Sequence, residues 1–323
     1  MLSATPAEMH VPSHSERAVT GAATATSWIL VFVVLAVQFV RPDGWDSLEF
    51  WPLVVGLLIG LPHGALDHLV PTWWLGRRAP VVIWFALAYG AAAAAAFLLF
   101  RTFPVAGIAI FLLLSAWHFA CGETGFSDLR GGDPTAYAAL RRLARAAVVL
   151  LLPAAVHPTQ VADLITEITN KSFTVTAHLR TGALVFSLAA VFIGIGACLL
   201  AGRRLDAVEL MLLVVLALSV SPLVAFGVYF GGWHSVRHLA RSMLDDPANL
   251  PALAQGKWRA PLRRLALDAA GPTAIILVTL GLLWSLSDGW QGFVTTYLAL
   301  LAGLTVPHMM VVAWADRRRL RRQ

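Results

Sequence analysis

Apolar residues run through this chain in long blocks, set apart by short clusters of Arg, Asp, Glu, Gly and Pro. Ten blocks approach the ~20 residues a helix needs to cross a bilayer: 24–40, 50–66, 80–100, 104–122, 144–162, 181–200, 207–222, 223–241, 270–288 and 292–314. The seventh and eighth are contiguous. Pro222, in SVSPL, separates them, because proline has no N–H to donate and crowds the preceding turn. The second block is short and contains Pro62. The pattern predicts an all-α, polytopic membrane bundle of about ten helices.

Composition agrees, with 58% apolar and only 13% charged residues, against roughly 25% charged in soluble domains. Lipid must therefore be part of this chain's solvent. With a cytoplasmic N-terminus, the inner connections carry Arg77, Arg78, Arg130, Arg141, Arg142, Arg145, Arg203, Arg204, Arg241, Lys257, Arg259, Arg263, Arg264 and the terminal run RRRLRR. The outer connections hold Arg41, Arg101, Lys171 and Arg180 beside Asp43, Asp46, Glu49, Glu167 and Asp288. That asymmetry follows the positive-inside tendency and favours an even number of spans with both termini cytoplasmic. The net charge of +6 belongs to these flanks and implies no nucleic-acid partner. Cys121 and Cys198 are too few for a disulfide framework or a zinc-thiolate site. The expected organisation is a flexible cytoplasmic segment over 1–22, one transmembrane catalytic domain over 23–315 with a cytoplasmic connector at 242–269, and a basic tail over 316–323.

Six histidines fall at one depth in this scheme, towards the inner ends of four spans: His63 and His68, His118, His234 and His238, and His308. Ionisable groups inside a bilayer are expensive unless they pair or serve a site. His234 and His238 share a helix face one turn apart, so both rings can reach one ion. His63 and His118 complete a candidate metal set, and imidazole donors suit iron, copper, zinc or nickel. Asp67 and Glu123 are placed to orient ligand rings, with His68 and His308 as further polar neighbours. A structural polar network and a proton path are the competing readings. Phe226, Phe230, His234 and His238 form one line at i,i+4, with Tyr229 and Trp233 beside it. Trp117 and Phe119 flank His118, and Met309 follows His308. These residues either pack the bundle or line a tunnel for a long apolar substrate.

Four segments together, GLPHGALDH, SAWHFACGE, GGWHSVRHLAR and TVPHMM, resemble the Brp/Blh family of bacterial and archaeal membrane carotenoid oxygenases. PHGxxDH followed by WHxxRH is far more specific than a lone HxxxH. The resemblance implies cleavage of β-carotene by dioxygen at the central 15,15' double bond, giving two molecules of retinal, in a bacterial or archaeal cell membrane. It further implies non-haem Fe(2+) held by His63, His118, His234 and His238, and a functional link to a retinal-binding rhodopsin. Di-iron desaturases need an HxxHH box and zinc proteases an HExxH motif; neither occurs here. The rival is a histidine-lined membrane metal or proton transporter, which would spread polar groups along the membrane depth.

Overall fold

The computed structural model describes residues 10–45, 50–76, 79–287 and 289–320. Their regular structure is helical, apart from one antiparallel bridge between His10 and Gly132. In chain order the α-helices are α1 (His14–Val40), α2 (Phe50–Ala65), α3 (Val70–Leu75), α4 (Ala79–Thr102), α5 (Pro104–Asp128), α6 (Ala138–Ala146), α7 (Leu152–Val156) and α8 (Pro158–Thr169). They continue as α9 (Ala177–Leu200), α10 (Arg204–Ser219), α11 (Pro222–Gly227), α12 (Val236–Asp245), α13 (Leu250–Ala254), α14 (Arg259–Leu286) and α15 (Gly289–Leu320). Two stretches, Ala147–Leu151 and Val228–Ser235, wind as π-helix. Such bulges concentrate at functional sites.

Among the described residues seven helical segments are long and apolar enough to span a membrane, or eight when the bent pair Ala138–Val156 and Pro158–Thr169 counts as one. The protein is therefore a polytopic, all-α membrane protein, with fewer continuous spans than the ten blocks suggest. The difference lies at two places. Block 144–162 breaks at His157, where the first helix ends before Pro158 starts the next. Blocks 207–222 and 223–241 form α10, of 16 residues, and a shorter helix running into π-winding. The break at Pro222 is present, with the Ser221 hydroxyl accepting from the Val224 N–H. Helix α1 begins well ahead of residue 24, because Ser13 and Glu16 form a reciprocal capping box. Within 242–269 the chain is also partly helical, through α12, α13 and the start of α14. Asp46, Glu49, Arg77, Arg78, Asp288 and the last arginines of the basic tail lie outside the described residues.

Residues pack into two compact units, both drawn from several parts of the chain. One comprises 1–57, 119–157 and 176–241; the other comprises 58–118, 158–175 and 242–323. The stretch 23–315, expected as one domain, contributes to both. The first unit is cored by Val31 of α1, Val191 of α9, Leu210, Leu213 and Leu216 of α10, Val224 of α11, and Tyr229 and Trp233. Its closest approach is backbone on backbone. A Cβ on Gly56 would lie 2.1 Å from the Gly227 carbonyl oxygen, and one on Gly231 would lie 2.6 Å from the Gly56 Cα. Gly227 and Gly231 thus form the small-xxx-small seam that lets membrane helices touch. The second unit packs α4 against α15, with Phe100, Ile168, Ala299 and Ala302 at its core. Large apolar side chains such as Ile29, Trp84, Phe192 and Ile275 are exposed, as contact with lipid requires.

Candidate active site

In the second unit two histidine rings flank His308. Its ring centroid lies 4.9 Å from that of His63 and 5.0 Å from that of His118, both edge-to-face. The His308 Nδ1 sits 3.0 Å from each Asp67 carboxylate oxygen, and the Tyr89 hydroxyl donates to the same carboxylate at 3.0 Å. Asp67 is itself buried. A carboxylate only accepts, so the His308 ring donates to it through Nδ1. His63 follows the same logic, its Nδ1 donating to the Gly60 carbonyl. His63 sits in the last turn of α2, directly after Pro62, and Asp67 in the turn by which the chain leaves α2 and re-enters helix at Val70. His68 lies on the exposed side of that turn, bonded at 2.9 Å to the Ala65 carbonyl.

In the first unit a buried ionic network surrounds Glu123, near the C-terminal end of α5. Arg237 donates to Glu123 at 3.0 Å and to Glu209 at 2.6 and 3.2 Å. Trp233 Nε1 donates to Glu123 at 3.0 Å, and His234 Nδ1 lies 3.6 Å from its other oxygen. Arg130 grips Glu209 with two nitrogens, at 2.7 and 2.6 Å, and reaches Asp206 at 2.6 Å. Arg145 adds a third cation at 3.0 Å from Asp206, and Ser127 donates to the same carboxylate. Arg203 and Arg141 close the network around Asp128, at 3.0 and 3.3 Å. The Arg237 guanidinium also lies 3.9 Å from the Trp233 ring centroid and 4.8 Å from that of Phe126. The geometry is dense and almost dry, where charge-assisted bonds are strongest and an unpaired charge is most costly.

Glycine on α5 admits His234 to this network: a Cβ at Gly122 would lie 3.3 Å from its Cε1. The aromatic line read from i,i+4 spacing exists as a column of rings. Phe226 stacks on Phe230 at 5.7 Å, Phe230 on His234 at 6.3 Å, and His234 faces His238 at 6.2 Å. Phe119 sets its edge against Tyr229 at 5.3 Å and against His234 at 4.8 Å. Trp233 is held on its edge by Glu123 and on its face by Arg237, which fixes it as part of the network. Met309 is buried in the second unit, whereas Trp117 is 46% exposed.

The carboxylate of Glu123 meets His234, Trp233 and Arg237, and that of Asp67 meets His308 and Tyr89. One expectation is corrected. His63 and His118 belong to the second unit, and His234 and His238 to the first. Among the described residues no group of three or more His, Cys, Asp or Glu side chains is arranged to hold a metal ion. That finding overturns the four-histidine Fe(2+) centre, and with it the description of the protein as an iron-binding, iron-dependent enzyme. Ring nitrogens here meet protein groups instead: His234 turns its Nδ1 to Glu123, His308 turns its Nδ1 to Asp67, and His63 turns its Nδ1 to the Gly60 carbonyl. Arg130, Arg145, Arg237, Asp206 and Glu209 were missed as site residues. Arg237 had a signal, as the arginine inside WHSVRH; the acids of α10 had none beyond being charged within an apolar block.

The family model described as Beta-carotene 15,15'-dioxygenase matches residues 54–316. A probable β-carotene 15,15'-dioxygenase Blh of Halobacterium salinarum is 29% identical over 344 residues, covering 94% of this chain and 95% of its own length. A β-carotene 15,15'-dioxygenase of an uncultured marine bacterium is 30% identical over 205 residues, covering 61% of this chain and 70% of its own. A probable β-carotene 15,15'-dioxygenase Brp of Halobacterium salinarum is 28% identical over 310 residues, covering 81% of each chain. No solved structure matches.

Proposed function

The chain belongs to the Brp/Blh family of β-carotene 15,15'-dioxygenases, and we propose that it is a membrane carotenoid-cleaving dioxygenase acting on β-carotene at the 15,15' bond. The family match over 54–316 carries this reading, because it takes in every histidine of both buried clusters. The reaction balances without an added reductant: dioxygen supplies one oxygen to each alkene carbon, the carbon–carbon bond breaks, and two molecules of retinal result. A retinal-binding rhodopsin is the expected consumer of that product.

The chain's own contribution is placement and exclusion of water. β-carotene offers no hydrogen-bonding group, so its position is set by apolar surface and shape, and orientation supplies much of the rate. The Phe226–Phe230 stack, both rings half-buried, supports such an approach from lipid towards His234 and His238. His63, His118, His234 and His238 are the proposed catalytic histidines. Asp67 and Glu123 fix the rings of His308 and His234, while Arg237 bonds Glu123. In the arrangement that suits this function the chain crosses the membrane ten times with both termini cytoplasmic, the two helices flanking Pro222 each forming a short crossing.

The test is expression in a bacterial host that accumulates β-carotene, with pigments separated by chromatography. Loss of β-carotene with matching gain of retinal supports the reading. Unchanged β-carotene with the protein present in the membrane fraction sinks it, and altered metal or proton flux in vesicles would favour a transporter.

A further inference from the structure

Tyr229 is 3% exposed, in the π-helical stretch Val228–Ser235. Its ring is fixed on two sides, by the edge of Phe119 at 5.3 Å and by the near-parallel His234 ring at 6.1 Å. Its hydroxyl, in contrast, has no hydrogen-bond partner among the described residues. The Glu123 carboxylate is occupied by Trp233, Arg237 and His234. A buried hydroxyl without a partner is costly and rare, and asks for an explanation in the site it faces. A phenylalanine would fill the same space without that cost.

The neighbours say what such a hydroxyl suits. Phe119 and Phe226, 6.3 Å apart, join Tyr229 and Phe230 in an aromatic patch beside His234. This patch suits a ligand that is apolar along its length and carries oxygen at one point. The substrate proposed above has no oxygen, but both cleaved ends acquire one. We propose that the Tyr229 hydroxyl donates a hydrogen bond to the oxygen delivered to the scissile carbon, the carbonyl oxygen of the nascent aldehyde. The inference rests on the carotenoid-cleaving reading and assigns Tyr229 a role in the reaction beyond packing. No proton is transferred: the hydroxyl donates and keeps its hydrogen, so the cleavage balances as before.

The experiment compares wild type with Tyr229→Phe for turnover of β-carotene, apparent melting temperature in detergent, and the C=O stretch of bound retinal by infrared difference spectroscopy. The expected result is a fall in kcat of at least about tenfold, one missing donor at a reacting oxygen costing roughly 10²-fold where charge fully develops. KM stays unchanged, and the melting temperature is equal or higher, since the variant removes an unbonded buried oxygen. The C=O stretch in wild type lies below that of retinal in lipid and returns to it in the variant. Wild-type turnover with an equally active Tyr229→Phe overturns the inference while leaving the function intact, and places an internal water on the hydroxyl instead. A wild-type C=O stretch equal to that of retinal in lipid overturns it without the variant. No cleavage by wild type removes the function and this inference together.

Discussion

Removing Arg237 should strand one carboxylate, and the structure says which. Arg237 bridges Glu123 and Glu209, but Glu209 keeps a two-nitrogen grip from Arg130, whereas Glu123 is left with the Trp233 N–H and a His234 nitrogen at 3.6 Å. Arg237→Met therefore buries an anion with no cation, a change that costs about 3–5 kcal/mol. Glu123→Gln keeps an acceptor for Trp233 and leaves Arg237 on Glu209, so it should cost about 1.5–3 kcal/mol, the worth of a charged hydrogen bond. The double variant has no stranded anion and should be more stable than Arg237→Met alone by about 2 kcal/mol, a coupling typical of contacting residues. Net charge predicts the opposite order. The network holds five arginines (130, 141, 145, 203, 237) against four carboxylates (123, 128, 206, 209), so Arg237→Met would bring it to balance. Equilibrium unfolding in mixed micelles measures all four proteins. Additive losses, or a single Arg237→Met variant as stable as wild type, would refute local pairing.

Other predictions follow the same geometry. Gly56→Ala drives a methyl to 2.1 Å from the Gly227 carbonyl oxygen, and should cost about 1–3 kcal/mol or more in thermal or denaturant unfolding; Gly21→Ala, with nothing within 4 Å, should be neutral or mildly stabilising. Asp67→Ala deprives His308 and Tyr89 of a shared acceptor and should destabilise by about 2–3 kcal/mol, with Asp67→Asn losing less, since its amide oxygen still accepts. Gly122→Ala should leave the melting temperature nearly unchanged yet lower turnover by roughly tenfold, because its methyl sits 3.3 Å from His234 Cε1 and small displacements of a reacting group are costly. Equal turnover in Gly122→Ala would show that His234 does not need its present position.

Much of this structure is legible in the sequence, for identifiable reasons. Apolar block length gives the helices, and Pro222 gives its break because the missing N–H acts locally. The S-x-x-E box at Ser13 is equally local; its signal sits in a stretch whose polarity argues for disorder. Partnerships are another matter. His308 is distant in sequence from both Asp67 and His63, and only tertiary packing makes it the centre of that cluster. The arginines that serve as topology markers show the same limit. Arg141, Arg145, Arg203 and Arg241 are buried, and the first three are held by Asp128 and Asp206, so their positions answer to ion pairing as well as to membrane sidedness. Histidine spacing placed rings on common faces, but it does not say where their nitrogens point.

The central claim is tested most directly by giving the membrane-embedded protein β-carotene under ¹⁸O₂, reducing the products at once to retinol, and weighing them. The account predicts two retinols per β-carotene consumed, each carrying one ¹⁸O. Intact β-carotene, or products cut away from the central bond, would contradict it.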